Sequence, residues 1–135
     1  MEEVKNKLLM SLQKVGINKI GSFEYFFSYR PDVAYSDGRT IFFEDGKYHV
    51  LNTDRGKLIQ EEVFGTKDTL NYYLLDTYIV SKASEIVAKE IGNSYHLYQD
   101  KFFEKQIALF DEVSPLYGKW KQEELKRLMS ENSIK

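Results

Sequence analysis

Three glycine turns in quick succession constrain this chain more than any other feature: Asp37-Gly38, Asp45-Gly46 and Asp54-Arg55-Gly56. An Asp-Gly pair favours a tight two-residue loop with positive φ at its centre, and that loop joins antiparallel strands. Between and after the turns stand Thr40-Ile41-Phe42-Phe43-Glu44, then Tyr48-His49-Val50-Leu51, then Lys57 to Phe64. The spacing predicts an antiparallel meander, because a parallel pair needs a long crossover that these turns do not provide. One face is expected to bury aromatics and the other to be partly wet. Upstream, Phe23, Tyr25, Phe26 and Phe27 predict a further extended segment. Arg30-Pro31-Asp32 breaks it, since proline removes a backbone donor and restrains its predecessor. Val33-Ala34-Tyr35 resumes it, which gives the meander three to five strands.

On either side of the meander the apolar period becomes helical. Val4, Leu8, Leu9, Leu12 and Val15 mark a helix from Glu2 to about Val15, stopped by Gly16. Thr66 is an N-cap residue, with Asp68 in the first turn where the helix dipole favours negative charge. From Lys67 to about Glu90, Leu70, Tyr73, Leu74, Tyr78, Ile79, Ala83, Ile86 and Val87 form the apolar stripe of a long helix, and Ile91-Gly92-Asn93 ends it. A second helix runs from about Ser94 or Tyr95 to Val113. Pro115 and Gly118 are expected to break the chain before a last helix from Trp120 to about Met129. The fold class is therefore α+β: an N-terminal helix, the meander, then two or three C-terminal helices packed on the sheet. Length and the lack of any linker predict one domain over residues 1–135.

Composition excludes several function classes. Apolar residues at 42% and aromatics at 15% are enough for a core. A net charge of -2 supplies no broad basic face, so nucleic acid is not an expected partner. Lys119, Lys121, Lys126 and Arg127 are diluted by Glu123 and Glu124. Without cysteine there is no disulfide, thiol nucleophile or thiolate metal site, which fits a reducing compartment. The acidic start is not a signal peptide. No apolar run approaches the roughly 20 residues that span a bilayer. A soluble, cytoplasmic protein is expected, with no membrane partner.

Signals for chemistry are sparse. The two histidines, His49 and His96, read as surface or edge residues. No nucleophile elbow and no dinucleotide fingerprint is present. Gly65-Thr66-Lys67 lacks the upstream glycine of a phosphate loop. Glu61-Glu62, Asp111-Glu112 and Glu123-Glu124 are neighbours in sequence, and neighbours on a strand or helix point apart. No catalytic residue, metal site or cofactor is expected. The aromatic set asks for more explanation, with ten tyrosines and nine phenylalanines. Phenylalanine belongs in a core, whereas the tyrosine hydroxyl stays near water. Tyr72 and Tyr73 lie about 100° apart on a helix, so both cannot be central core. Exposed tyrosine beside Asp and Glu is the make-up of a protein-binding surface.

Three stretches resemble a family of immunity proteins from bacterial polymorphic toxin systems. One is Arg30-Pro31-Asp32 followed by a hairpin and Tyr48-His49-Val50. Another is Asp54-Arg55-Gly56, then Thr66-Lys67-Asp68-Thr69-Leu70-Asn71-Tyr72. The third is Phe102 to Phe110, with Trp120 and a charged helix after it. The resemblance implies a cytosolic protein that binds one toxin domain, a nuclease or another enzyme attacking cytosolic targets, and blocks it. Local charge density then nominates Glu61, Glu62, Asp68 and Asp76, with Tyr72 and Tyr73, as the partner-binding set; the acids would mimic phosphate in a basic cleft. Two alternatives stay open at this point. One is a structural or regulatory module that self-associates, so monomer and homodimer both remain. The other is a small hydrolase using His49.

Overall fold

A computed structural model describes residues 2–18, 38–54 and 57–133. The α+β layout stands in it: a helix, a three-stranded antiparallel sheet, then three helices. The helix α1 spans Glu2–Lys14; the strands β1, β2 and β3 span Gly38–Glu44, Lys47–Asp54 and Lys57–Phe64. Then come α2, Lys67–Ile91, a short 3-10 turn at Tyr95–Leu97, α3, Tyr98–Val113, and α4, Pro115–Ser133. The aromatic segment from Phe23 to Tyr35, and with it the turns at Asp37 and Arg55-Gly56, lies outside the described residues. Two units divide the chain: Met1–Met10 with Ile17–Leu74, and Ser11–Gly16 with Leu75–Lys135.

In the first unit the sheet order is β1-β2-β3. Asp45 and Gly46 take φ of 54° and 75°, the geometry that the Asp-Gly pair predicts for a tight hairpin. Glu44 therefore faces Lys47, and the register runs back through Phe42 opposite His49 and Ile41 opposite Val50. Alternation sorts the sheet into two faces. One carries the rows Arg39-Asn52-Gln60, Ile41-Val50-Glu62 and Phe43-Tyr48-Phe64; the other carries Thr40-Leu51-Glu61 and Phe42-His49-Val63. Ile41 and Val50 are buried on the first face, Thr40, Phe42 and Thr53 on the second. Strands β1 and β2 thus bury residues on both faces, each fully buried aliphatic contributing roughly 1.5–3 kcal/mol. β3 buries none of its side chains.

Helix α2 begins at Lys67 because Thr66 caps it. The Thr69 amide donates to Thr66 Oγ1 at 3.1 Å. Its first turn is joined to α1 by two ion pairs, Lys67 with Glu3 and Lys7 with Asp68, the latter at 3.2 Å. The hydrogen bond from Lys67, followed by its charge, holds the Glu3 carboxyl below its ordinary pKa, and Glu3 raises Lys67 in return. Tyr73 lies on the first sheet face: its ring is 4.9 Å from that of Phe64, the Arg39 guanidinium sits 5.1 Å above it, and its hydroxyl accepts from Asn52 Nδ2 at 3.4 Å.

The second unit is helical. Leu75, Ile79, Ala83 and Val87 are buried along α2 at the expected steps, and Gly92 ends that helix with φ of 56°. On α3 the buried residues are Gln106, Leu109, Phe110 and Val113, so the stripe lies toward the C-terminal half and leaves Tyr98 and Phe102 half-buried. The last helix starts earlier than its sequence predicts. Pro115 does not break it but opens it, at the one helical position where the missing N–H costs nothing. Ser114 alone turns the chain, in extended conformation, and its carbonyl accepts from the Gly118 amide at 3.0 Å. Gly118 is inside the helix because α3 passes so close: a Cβ there would meet the Asp111 Cα at 2.9 Å.

Among the described residues Lys121 is the one buried charge. It is buried, with Nζ 2.7 Å from Asp76 Oδ1, 2.7 Å from Glu124 Oε2 and 5.1 Å from the Phe110 ring centre. Two carboxylates and an aromatic face replace the water that an ammonium loses on burial.

Two substitutions test this account by thermal unfolding. Gly118→Ala gains helix propensity but drives a methyl into the Asp111 backbone, so a net loss of about 1–2 kcal/mol is expected. Thr66→Ala removes the α2 cap and is expected to cost about 1 kcal/mol.

Candidate functional site

β3 is an eight-residue strand, Lys57-Leu58-Ile59-Gln60-Glu61-Glu62-Val63-Phe64, and half of its residues are apolar. A strand of that composition ordinarily supplies core. Here Leu58, Ile59 and Val63 are 57%, 67% and 46% exposed. Scattered exposed aliphatics need no explanation, but three within six residues of one edge strand form a patch.

The strand carries one local irregularity. Asn52 faces Gln60 but Thr53 faces Leu58, so Ile59 is an extra residue, a bulge on β3. Leu58 and Ile59 are adjacent, and without the bulge they would alternate across the sheet. After the bulge the pairing is regular through Phe64.

Glu61 and Glu62 occupy the middle of the strand, on opposite faces. Glu61 shares its face with His49, whose Nδ1 lies 3.0 Å from Glu61 Oε1. The other ring nitrogen is 3.3 Å from the Glu44 carbonyl oxygen, and the ring stacks on Phe42 at 4.9 Å with an interplanar angle of 4°. Both neighbours are acceptors, so the neutral ring serves one of them and the imidazolium serves both. His49, expected at the surface or at an edge, thus sits half-buried on the central strand, and its contacts position Glu61. Glu62 shares the other face with Gln60, whose side-chain amide donates to it.

The remaining nominated residues are distributed differently. Asp68 is paired with Lys7. Tyr73 is half-buried among Arg39, Asn52 and Phe64, and Tyr72 is also half-buried. Asp76 belongs to the second unit and holds Lys121. Of the six, only Glu61 and Glu62 lie together with exposed apolar side chains. Sequence reasoning missed Leu58, Ile59 and Val63. The signal was the adjacent Leu58-Ile59, which breaks the alternation of a half-buried strand. Elsewhere, His96 is exposed in the 3-10 turn, and no cluster among the described residues brings together three or more groups able to hold a metal ion. Among the described residues no helix is long and apolar enough to cross a membrane.

Comparison with known proteins decides the family. A family model described as Immunity protein 63 matches residues 44–127, more than half of the chain. The chain belongs to the Immunity protein 63 family. The resemblance to immunity proteins of toxin systems is thereby borne out. The matched stretch begins at the end of β1 and takes in β2, β3, α2, α3 and the larger part of α4. No curated protein and no solved structure matches the chain.

If β3 serves binding and not the core, its apolar side chains are dispensable for folding. The double variant Leu58→Ser/Val63→Thr is expected to unfold within about 0.5 kcal/mol of the parent in chemical denaturation, as exposed substitutions do. A loss of about 2 kcal/mol or more would assign these residues to the core instead.

Proposed function

We propose that this Immunity protein 63 family member binds a cognate bacterial toxin domain and neutralises it by direct contact, in the cytoplasm and without catalysis of its own. The family match over residues 44–127 carries the reading. The physical features that support it are those of an inhibitor. Such a protein needs a rigid scaffold, a few exposed apolar anchors and charges that complement its target. Leu58, Ile59 and Val63 supply exposed apolar surface, and Glu61 and Glu62 supply charge between them.

The toxin that best fits acidic anchors is an enzyme with a basic substrate cleft, a nuclease before others. A carboxylate entering such a cleft occupies the place of a phosphate. Asp68 and Asp76 are engaged by Lys7 and Lys121, so a toxin would have to displace those lysines to use them. Glu61, with 42% of its side chain exposed against 50% for Asp68 and 44% for Asp76, differs from them in its partner, which is a histidine and not a lysine.

The test is co-expression with the toxin domain encoded beside this protein. Growth is expected to stop when the toxin domain is made alone and to resume when both are made, with the two co-purifying. If growth is not rescued, or the two never associate, the reading fails.

A further inference from the structure

Accepting that this chain neutralises a toxin by contact, we propose that the outer edge of β3, from Gln60 to Phe64, receives an extended basic segment of that toxin as a fourth strand. Among the described residues the sheet order is β1-β2-β3, so β3 has a strand neighbour on one side. An edge strand presents a row of backbone donors and acceptors, and adding a strand is an economical way to bind a polypeptide. Proteins ordinarily blunt such an edge. This chain blunts its first part with Lys57 and the bulge at Ile59, which leaves five regularly paired residues from Gln60 onward.

Charge selects the occupant. Self-pairing of two β3 strands would bring Glu61 and Glu62 of each copy together around the two-fold axis. Like charges opposite or diagonal on a sheet are destabilising, so a second copy of this chain is disfavoured. A toxin strand with adjacent Lys or Arg residues is favoured, because Glu61 and Glu62 lie on opposite faces and adjacent basic side chains also alternate. Apolar residues flanking the basic pair would meet Val63 and, past the bulge, Leu58. His49, 3.0 Å from Glu61, is a positioning residue that aims the carboxylate along its face.

Purified full-length protein and toxin domain provide the test, read by calorimetry and amide hydrogen exchange. Glu61→Lys/Glu62→Lys and Leu58→Ser/Val63→Ser are each expected to weaken binding about tenfold or more. Leu128→Ser/Met129→Ser on α4 should leave it unchanged. Alternate amides of Gln60–Phe64 should exchange about tenfold more slowly in the complex, a protection that side-chain contact alone would not give. Wild-type binding with no loss in either β3 variant overturns the strand-addition proposal and leaves the immunity reading intact. The same amides already slow in the free protein would mean that the chain fills its own edge, and a wild-type dimer dissociated by the β3 variants would name a second copy as occupant; either overturns it. Absence of wild-type binding overturns both readings.

Discussion

The two-residue turn at Asp45-Gly46 sets the register of β1 on β2, and most of what the first unit presents follows from that register. With Glu44 opposite Lys47, Ile41 and Val50 share one face, and Phe42 and His49 share the other. A slip of one residue would exchange the two sets. It would also separate His49 from Phe42, its stacking partner, and from the Glu44 carbonyl that its second ring nitrogen approaches. Two backbone dihedrals in a loop thus govern which residues of β1 share a face with His49 and Val50. The residue types agree with the demand: an aspartate that tolerates left-handed geometry, and a glycine that meets no neighbour.

The second unit answers a different constraint. Helices α3 and α4 approach so closely at Asp111 and Gly118 that only glycine fits. Nearby, a buried ammonium is held by carboxylates and an aromatic ring instead of being replaced by a hydrocarbon. Replacing such a buried ion pair with well-packed apolar residues is often neutral or stabilising. The arrangement therefore fixes where Asp76 and Glu124 point more than it adds to stability. That is why Asp76, an acid within an otherwise apolar helix pattern, is a structural partner of Lys121 in this chain.

Most of the architecture was legible in the sequence because it rests on local rules. The hairpin at Asp45-Gly46, the Thr66 cap and the Gly16 and Gly92 stops each depend on a few adjacent residues, and each appears where expected. Proline and glycine misled the reading of the last helix. Pro115 is compatible with a helix start as well as a break, and Gly118 is explained by a tertiary approach that no local pattern reports. The candidate surface was legible only in part. Glu61 and Glu62 stood out by charge, but the exposure of Leu58, Ile59 and Val63 has no local trace beyond two adjacent aliphatics at the bulge. Asp68 is likewise indistinguishable in sequence from a solvated acid. Its engagement by Lys7 arises from the pairing of two helix starts far apart in the chain.

A strand whose side chains are exposed or half-buried adds little to the buried core of its unit. Substitutions in most core positions move a marginally stable protein toward its unfolding threshold, and few are tolerated. β3 stands largely outside that limit, since the buried side chains of the sheet come from β1 and β2. Changing its exposed residues alters what the protein touches with little effect on how it folds, whereas Phe64 packs on Tyr73. An inhibitor built this way can follow a changing target through many single substitutions, each paid for only in affinity.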